Sequence, residues 1–212
     1  MARNFLLTLT DLIIRSKDEL NRMDAECGDG DFGTTMFVAF TNVQRTIQIA
    51  KSEDIGGLFM ETGQAVLSSA GGVAGPIFAT LFSEAGKTAK GKKELTVTEL
   101  TAMFENALLK IEQRGHARID DKTLVDALDP AVRSLQESST HNTPLNQALE
   151  DTVRAARMGY ERTKGLVARQ GKARYLAEQT VGHLDGGAYV VVLLFQCLRD
   201  QALPRSQDIG SN

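Results

Sequence analysis

One stretch near the start of the chain decides how the rest is interpreted. It reads Leu20-Asn21-Arg22-Met23-Asp24-Ala25-Glu26-Cys27-Gly28-Asp29-Gly30-Asp31-Phe32-Gly33-Thr34-Thr35. Carboxylates as close together as Asp24, Asp29 and Asp31 repel one another unless a cation holds them. Because carboxylate oxygens are hard ligands, the expected cation is magnesium or calcium rather than zinc or copper. The glycines among them free the backbone to fold inward around an ion and to approach a phosphate closely.

A loop rich in Asp and Gly is not always a site for metal and phosphate. A solvated acidic turn remains an alternative, since Asp and Gly are common in turns. A calcium-binding EF-hand loop needs a Glu that closes it, and the chain instead continues with Phe32-Gly33-Thr34-Thr35, which excludes that motif. Magnesium held by a few carboxylates, with water or phosphate on its remaining positions, is the usual arrangement in phosphoryl transfer.

Composition sets the outer limits of function. The chain has 212 residues, of which 42% are hydrophobic and 24% charged, and these are ordinary values for a soluble globular protein. Its net charge of −3 argues against a nucleic-acid surface. Two cysteines, Cys27 and Cys197, fit a reducing compartment better than a disulfide framework. The longest apolar run, residues 188–195, is too short to span a membrane, and the start lacks the features of a secretory signal. We therefore expect a cytoplasmic protein that binds neither nucleic acid nor membrane.

Helical periodicity dominates the chain, with no sustained alternation and no repeat. The pattern predicts one all-α domain over residues 1–212, a barrel or bundle of about eight antiparallel helices with a frayed tail at about 205–212. Residues 189–195 also fit a buried strand, and this ambiguity stays open. The predicted helices are 5–21, 34–50, one from Ser52 to 67, one around 77–82, one from Thr96 to about 113, one from Asp120 or Asp121 to 135, one from Thr143-Pro144 towards 168, and 188–199.

The loops that invite a functional interpretation fall at alternate positions along the chain. In an up-and-down bundle, loops after helices 1, 3, 5 and 7 emerge at the same end. Those loops are the acidic loop (residues 24–31), the Gly-rich loop (residues 68–76), residues 114–121 and the basic loop (residues 167–176). The Gly-rich loop presents backbone amides at the start of a helix, and such amides bind anions. The sequence thus predicts a nucleotide–metal site at one end of the bundle.

Each of these loops, taken alone, also fits a structural role. Asp120 and Asp121 are natural helix caps, and Lys122 fits a solvated surface charge. His183 stands near Asp185 but has no Ser or Cys nucleophile motif beside it, which favours a structural role. No Walker-type motif and no Gly-x-Gly-x-x-Gly after a strand occurs, so neither common nucleotide fold is implied.

Taken together, the ordered motifs resemble one family, the dihydroxyacetone kinase L subunit. The resemblance runs from Leu20-Asn21 to Gly33, then through Gly71-Gly72 to Gly75-Pro76, Asp121-Lys122-Thr123 to Pro130, and Gly171 to Ala188. It implies a barrel of eight antiparallel helices that holds ADP or ATP and two magnesium ions at one end. It assigns no catalytic residue, since phosphoryl transfer rests largely on positioning and charge neutralisation.

The resemblance also implies the ligands of each group. Asp24, Asp29 and Asp31 would hold the magnesium ions that bridge the phosphates. The residues expected around the nucleotide are Phe32, Gly33, Thr34, Thr35, Gly71, Gly72, Val73, Ala74, Gly115, Leu124 and Lys172, with Asp185, Gly186 and Gly187 closing over it.

Four residues depart from the family pattern. Phe32 stands where several members have His, Ala74 replaces a Ser, Lys172 an Arg, and Gly186 a Pro. A lysine does not reproduce the bidentate fork of an arginine, so contacts to phosphate are expected to differ. The metal-binding carboxylates are intact, and nucleotide binding is expected to survive.

The family's substrate is held covalently on a histidine of a separate K subunit, so the resemblance implies a kinase subunit that is active only with that partner. Its phosphoryl donor is either exchangeable ATP or a phosphotransferase-system protein that rephosphorylates bound ADP. The sequence of the acidic loop leans towards the ATP-using relatives. Two alternatives stay open: a nucleotide-dependent regulatory module, and a kinase subunit for a related substrate such as a tetrose or a fatty acid.

Overall fold

The computed structural model of the chain describes residues 2–202, and that range contains helices but no strand. The tail predicted to fray at about 205–212 lies outside the described residues. The α-helices are α1 (Ala2–Arg15), α2 (Lys17–Ala25), α3 (Phe32–Ile49), α4 (Ile55–Ser69), α5 (Ala74–Thr88), α6 (Val97–Gly115), α7 (Val125–Thr140), α8 (Leu145–Arg162) and α9 (Gly186–Ala202). Two short 3-10 segments, Thr163–Gly165 and Ala173–Thr180, lie between α8 and α9.

The helices form a closed ring. From α3 to α9 each helix packs against the next along the chain, α1 packs against α3, and α9 returns to α1. Helix α2 continues from α1 and lies against α3. The ring therefore has eight members, as the sequence predicts, around one core of buried apolar side chains. Aromatic pairs pack in it, with Phe40 edge-to-face against Phe82 and Phe104 tilted against Phe195.

The first predicted helix is bent into two at Ser16. The Ser16 hydroxyl donates to the carbonyl of Leu12 at 2.9 Å, and its amide is shared between the carbonyls of Leu12 and Ile13. Such back-bonding by a serine side chain bends a helix. Helix α2 thereby leaves the direction of α1 and brings Asp24 to the end of the ring.

Three predicted helix starts are wrong by a few residues. Asp54, not Ser52, caps α4, and its side chain accepts from the amide of Gly57 at 3.0 Å. Neither Asp120 nor Asp121 caps α7, which begins at Val125. Pro144 occupies the cap position of α8 rather than the first helical position. The capping box of Thr96 and Glu99 at the start of α6 is confirmed.

The two predictions for the last third of the chain have different outcomes. The helix expected to run towards residue 168 ends at Arg162, because residues 163–165 tighten into a 3-10 turn. The apolar run 188–195 is helical, which resolves the ambiguity with a strand, and most of its side chains are buried in the core. No helix in the described range is long and apolar enough to cross a membrane.

Helices α7 and α8 come unusually close at one point. Pro130, inside α7, has no amide to donate to the carbonyl of Asp126 four residues earlier. Gly159 of α8 lies directly over that carbonyl, where a Cβ atom would overlap with it and would stand 2.8 Å from Pro130 Cγ. The glycine is therefore required by packing, and the close approach fixes the end of α7 that leads into the loop at residues 116–124.

Candidate functional site

A cavity of about 380 Å³ opens at one end of the ring. Its wall is built from the acidic loop, the Gly-rich loop, the loop between α6 and α7, the basic loop and the start of α9. The prediction that these alternate loops meet at one end is confirmed. The acidic loop and the Gly-rich loop are short and fixed at both ends by packed helices, whereas the basic loop belongs to the long connection 163–185 between α8 and α9.

The acidic loop begins at Asp24, which lies in the last turn of α2. Its Oδ2 accepts hydrogen bonds from the amides of Asp31 at 2.9 Å and Phe32 at 3.1 Å, and so caps α3 from a neighbouring helix. A Cβ atom at Gly28 would stand 2.7 Å from Asp24 Oδ1, so this position requires a glycine. The loop thus folds tightly around one carboxylate and leaves its other oxygen available.

The three aspartates form a cluster that suits a hard cation. One carboxylate oxygen from each of Asp24, Asp29 and Asp31 lies within 4.8 Å of the others. Lys172 of the basic loop already places its ammonium against Asp29 and, at 3.3 Å, against Asp31. The hydrogen bond from Lys172 lowers the pKa of Asp29, and the same bond raises the pKa of Lys172. A divalent cation fits this donor set, since all its ligands are carboxylate oxygens.

The start of α3 splits the predicted residues into two groups. Phe32 and Thr35 line the cavity, and the ring of Phe32 lies 6.3 Å from that of Phe78. Gly33 and Thr34 are not brought to the cavity. A Cβ atom at Gly33 would overlap with the carbonyl of Lys17, so this glycine lets α3 approach α2. The amide of Thr34 donates to the side chain of Asn21 at 2.9 Å.

The Gly-rich loop forms the opposite wall. Gly71, Gly72, Val73 and Ala74 all line the cavity, and Gly72 has a positive φ of 67°. No side chain caps the start of α5. The amides of Ala74 and Gly75 therefore have no partner within the helix, whereas Pro76 has no amide and that of Ile77 donates to the carbonyl of Val73. At this end of α5 the helix dipole favours an anion.

The third wall joins the α6–α7 loop to the start of α9. Gly115, Leu124, Gly186 and Gly187 line it, and a Cβ atom at Gly187 would stand 3.5 Å from Leu124 Cβ. Asp185 caps α9, because its Oδ2 accepts from the amide of Ala188 at 2.7 Å. Burial, together with the charges of the nearby Asp126 and Asp24, raises the pKa of Asp185 to about 7.

Several lining residues have no clear signal in the sequence. Ile77, Phe78 and Ile111 form an apolar floor, and their positions in helices indicate no more than a core role. A further set lies in the loops: Ala117, Lys122, Thr123, Gln170, Gly171 and Ala173. Gln170 fixes the basic loop, since its side-chain amide donates to the carbonyl of His116 at 3.2 Å.

Lys122 is the clearest correction. The sequence is compatible with a solvated charge at this position, but the structure buries the residue to 4% exposure. Its ammonium donates to the carbonyl oxygens of Thr163 and His183 at 2.7 and 2.5 Å. The only signal in the sequence is its place in the Asp121-Lys122-Thr123 motif.

The arrangement has separate polar and apolar parts. The carboxylate cluster and the start of α5 both line the cavity, together with the apolar side chains of Ile77, Phe78 and Ile111. A ligand with an anionic part and a flat apolar part fits such a cavity, with a cation between its charge and the carboxylates.

Comparison of the sequence with known proteins finds one family over most of the chain. A profile of the DAK2 domain matches residues 26–200. The chain is 35% identical to the PEP-dependent dihydroxyacetone kinase, ADP-binding subunit DhaL, of Escherichia coli, over 92% of this chain and 93% of that protein. It is 34% identical to the corresponding subunit of kinase 2 of Listeria innocua, over 84% of this chain and 82% of that protein.

A solved structure shows the same fold. The dihydroxyacetone kinase of C. freundii in complex with AMP-PNP and Mg²⁺ superimposes with a TM-score of 0.72 at 26% identity. The match covers 94% of this chain and 33% of that one, so the chain spans about a third of the length of that kinase.

Proposed function

The chain belongs to the DAK2 domain family, and we propose that it is the nucleotide-binding subunit of a dihydroxyacetone kinase. In this role it binds ADP or ATP with magnesium and passes a phosphoryl group to a short ketose held on a separate K subunit. The observation that carries the proposal is the meeting of the Asp24, Asp29 and Asp31 carboxylates with the free amides of α5 at one cavity.

The walls suggest how a nucleotide lies in the cavity. The base and sugar would be held by the apolar part of the wall, which includes Leu124, Gly115 and Gly187. The phosphates would be held by the amides at Gly71–Ala74 and, through a cation, by the carboxylate cluster. Asp24, Asp29 and Asp31 would hold two magnesium ions, and such ions would neutralise charge on the phosphates.

The chain's own residues contribute positioning and charge rather than covalent chemistry. Asp24 keeps the acidic loop folded, because it caps α3 while it offers its second oxygen to a cation. Lys172 is within reach of the same carboxylates and supplies positive charge beside the phosphates. Phe32 and Val73 add apolar surface to the wall of the cavity.

The phosphoryl donor is a separate part of the proposal. The acidic loop leans towards an ATP-using enzyme, but both DhaL relatives are named PEP-dependent and ADP-binding. We favour resident ADP that is rephosphorylated in place by a phosphotransferase-system protein. The test is whether purified protein retains ADP through gel filtration and whether added ATP exchanges with it. Retained ADP that does not exchange supports this donor, whereas an empty site that binds Mg-ATP reversibly supports ATP.

The compartment is also part of the proposal. Both cysteines are buried and free, which suits the reducing cytoplasm in which such a kinase acts.

The first test is Mg-dependent nucleotide binding by isothermal titration calorimetry. We expect Asp29→Asn to weaken ADP binding in Mg²⁺ by an order of magnitude or more, because it removes one charged ligand. Asp18→Asn, at an exposed position of α2 away from the cavity, serves as the matched control and should bind as the wild type does. Equal affinity for both variants would contradict the metal assignment.

A second assay separates the proposal from its alternatives. Phosphoryl transfer is measured with a K subunit loaded with dihydroxyacetone, then with erythrulose, and then with a fatty-acid carrier protein in its place. Transfer to dihydroxyacetone supports the proposal. Nucleotide binding without transfer to any acceptor would favour a regulatory module.

A further inference from the structure

Lys122 is a buried cation with an unusual backbone. Its φ of 59° lies in the left-handed region, which a side chain other than glycine rarely adopts. Asp120, two residues earlier, also has a positive φ of 74°. Asp126 holds this turn, because its two oxygens accept the amides of Asp120 at 2.6 Å and Thr123 at 2.8 Å. The turn is thus held in a strained form that directs the Lys122 side chain inward.

The ammonium of Lys122 joins segments that are distant in sequence. It donates to the carbonyl of Thr163, 41 residues away at the exit of α8, and to that of His183, 61 residues away and just before α9. The Thr163 hydroxyl in turn accepts the amide of Asp185 at 3.0 Å. Asp185 caps α9, so the network reaches the first turn of that helix.

The residues next to both ends of this network, Lys122 and Asp185, line the cavity. Thr123 and Leu124 follow Lys122 directly, while Gly186 and Gly187 follow Asp185, and all four line the cavity. The amide and Cβ of Leu124 each lie 3.5 Å from the place a Gly187 Cβ would take. A shift of either segment would therefore change the width of the cavity at this point.

Burial of the Lys122 ammonium carries a cost. It lowers the pKa of Lys122, and the nearby carboxyl groups of Asp185 and Asp126 oppose that shift. A neutral side chain of the same length would avoid that cost, but it would leave two buried carbonyl oxygens without donors.

We propose that Lys122 is a positioning residue for nucleotide binding, whose ammonium holds the start of α9 against the α6–α7 loop so that the two form one wall. This inference rests on the proposed function. It makes Lys122 act through Leu124 and Gly187 rather than through a catalytic contact of its own.

The test compares Lys122→Met with Lys164→Met. Methionine keeps the apolar stem and removes the ammonium, whereas Lys164 is an exposed lysine next to Thr163 that does not line the cavity. The affinity for ADP in Mg²⁺ is measured by calorimetry, and hydrogen exchange is followed in the peptide at 183–188. We expect at least tenfold weaker binding and faster exchange at 183–188 for Lys122→Met, with neither change for Lys164→Met.

A second variant keeps the inference testable if Lys122→Met does not fold. Thr163→Val has the same shape but removes the hydroxyl that accepts the amide of Asp185, and it should also weaken ADP binding and speed exchange at 183–188. Wild-type affinity and wild-type exchange in a folded Lys122→Met would overturn the role of Lys122 and leave the proposed function standing. If Lys122→Met does not fold, the same result in Thr163→Val would overturn the link from Thr163 to the start of α9, on which that role depends. Absence of ADP binding by the wild type itself would remove both.

Discussion

At the scale of single residues, the ring of Phe32 packs directly against Gly186. A Cβ atom at Gly186 would stand 3.0 Å from Phe32 Cδ1 and 3.1 Å from Cε1. Gly186 is the first residue of α9, a position where proline is usually favourable. Both residues are departures from the family that the sequence resembles, in which several members have His at the first position and Pro usually stands at the second. We infer that the two departures compensate each other, since the Phe32 ring occupies the space that a Cβ atom at position 186 would need.

This pairing predicts a non-additive double mutant. Gly186→Pro alone should weaken ADP binding in Mg²⁺ several-fold, because it pushes the Phe32 ring into the cavity. Phe32→His in the same chain should recover most of that loss. In a double-mutant cycle by calorimetry, we expect a coupling energy of about 1 kcal/mol or more. Strictly additive effects would show that the two positions are independent.

Asp185 predicts a pH dependence of stability. Its pKa rises to about 7 in the folded protein, against about 3.9 for an unperturbed aspartate. Between these values the unfolded chain releases a proton that the folded one retains, so Asp185 lowers the free energy of unfolding as pH rises from about 4 to about 7. Asp185→Asn, which still offers an oxygen to the amide of Ala188, should lack this loss.

The measurement is urea unfolding at several pH values without nucleotide. The stability of Asp185→Asn relative to the wild type should increase by about 1 kcal/mol per pH unit between about pH 4 and 7 and then level off. Asp18→Asn, which changes an exposed carboxylate, is the control. A difference that stays constant across this range would contradict the raised pKa.

The residues that sequence reasoning missed share a physical reason. The carboxylates and glycines of the acidic loop are conspicuous because their residue types are costly to cluster without a ligand. Ile77 and Ile111 have the helical spacing of any core residue, and nothing in that spacing says that a cavity begins beside them. The burial of Lys122 depends on carbonyl groups 41 and 61 residues away, which no local pattern encodes.

At the scale of elements, the contact of α7 with α8 depends on Gly159. In an isolated helix, replacing glycine with alanine adds about 1 kcal/mol of stability. Here the new Cβ would overlap with the carbonyl of Asp126. We expect Gly159→Ala to lower the free energy of unfolding by roughly 2 kcal/mol or more, since two helix backbones must separate.

The matched control for Gly159 lies at the exit of the same helix. Gly165 has no atom within 4 Å of its would-be Cβ and no positive φ. Gly165→Ala should therefore be neutral or slightly stabilising in the same urea unfolding experiment. Equal effects of the two substitutions would mean that the close approach of α7 and α8 is not required for stability.

Element boundaries show where local signals are sufficient. The capping box of Thr96 and Glu99 is predictable because both partners lie within one turn. Asp54 is harder to recognise as a cap, since it binds the amide of Gly57 and also that of the distant Gly91 at 2.9 Å. The bend at Ser16 leaves no trace in the sequence pattern, because apolar spacing continues through it. Asp126 folds back on the turn before α7 and takes the place of the predicted caps.

At the scale of the whole molecule, ring closure explains why a few loops that are separate in sequence make one site. Each loop contributes only one or two suitable groups: carboxylates after α2, amides before α5, a lysine after α8. Alternation of helix direction places them at one end without any long-range signal in the sequence. This is why the end of the ring that carries the cavity is predictable from the sequence, while its floor and depth are not.

One measurement tests this account most directly: a crystal structure of the protein with ADP and Mn²⁺, with anomalous data collected for manganese. We expect two manganese peaks bound by the carboxylates of Asp24, Asp29 and Asp31, and ADP phosphates within hydrogen-bond distance of the amides at Gly71–Ala74. Manganese absent from that cluster, or ADP bound elsewhere on the ring, would contradict the account.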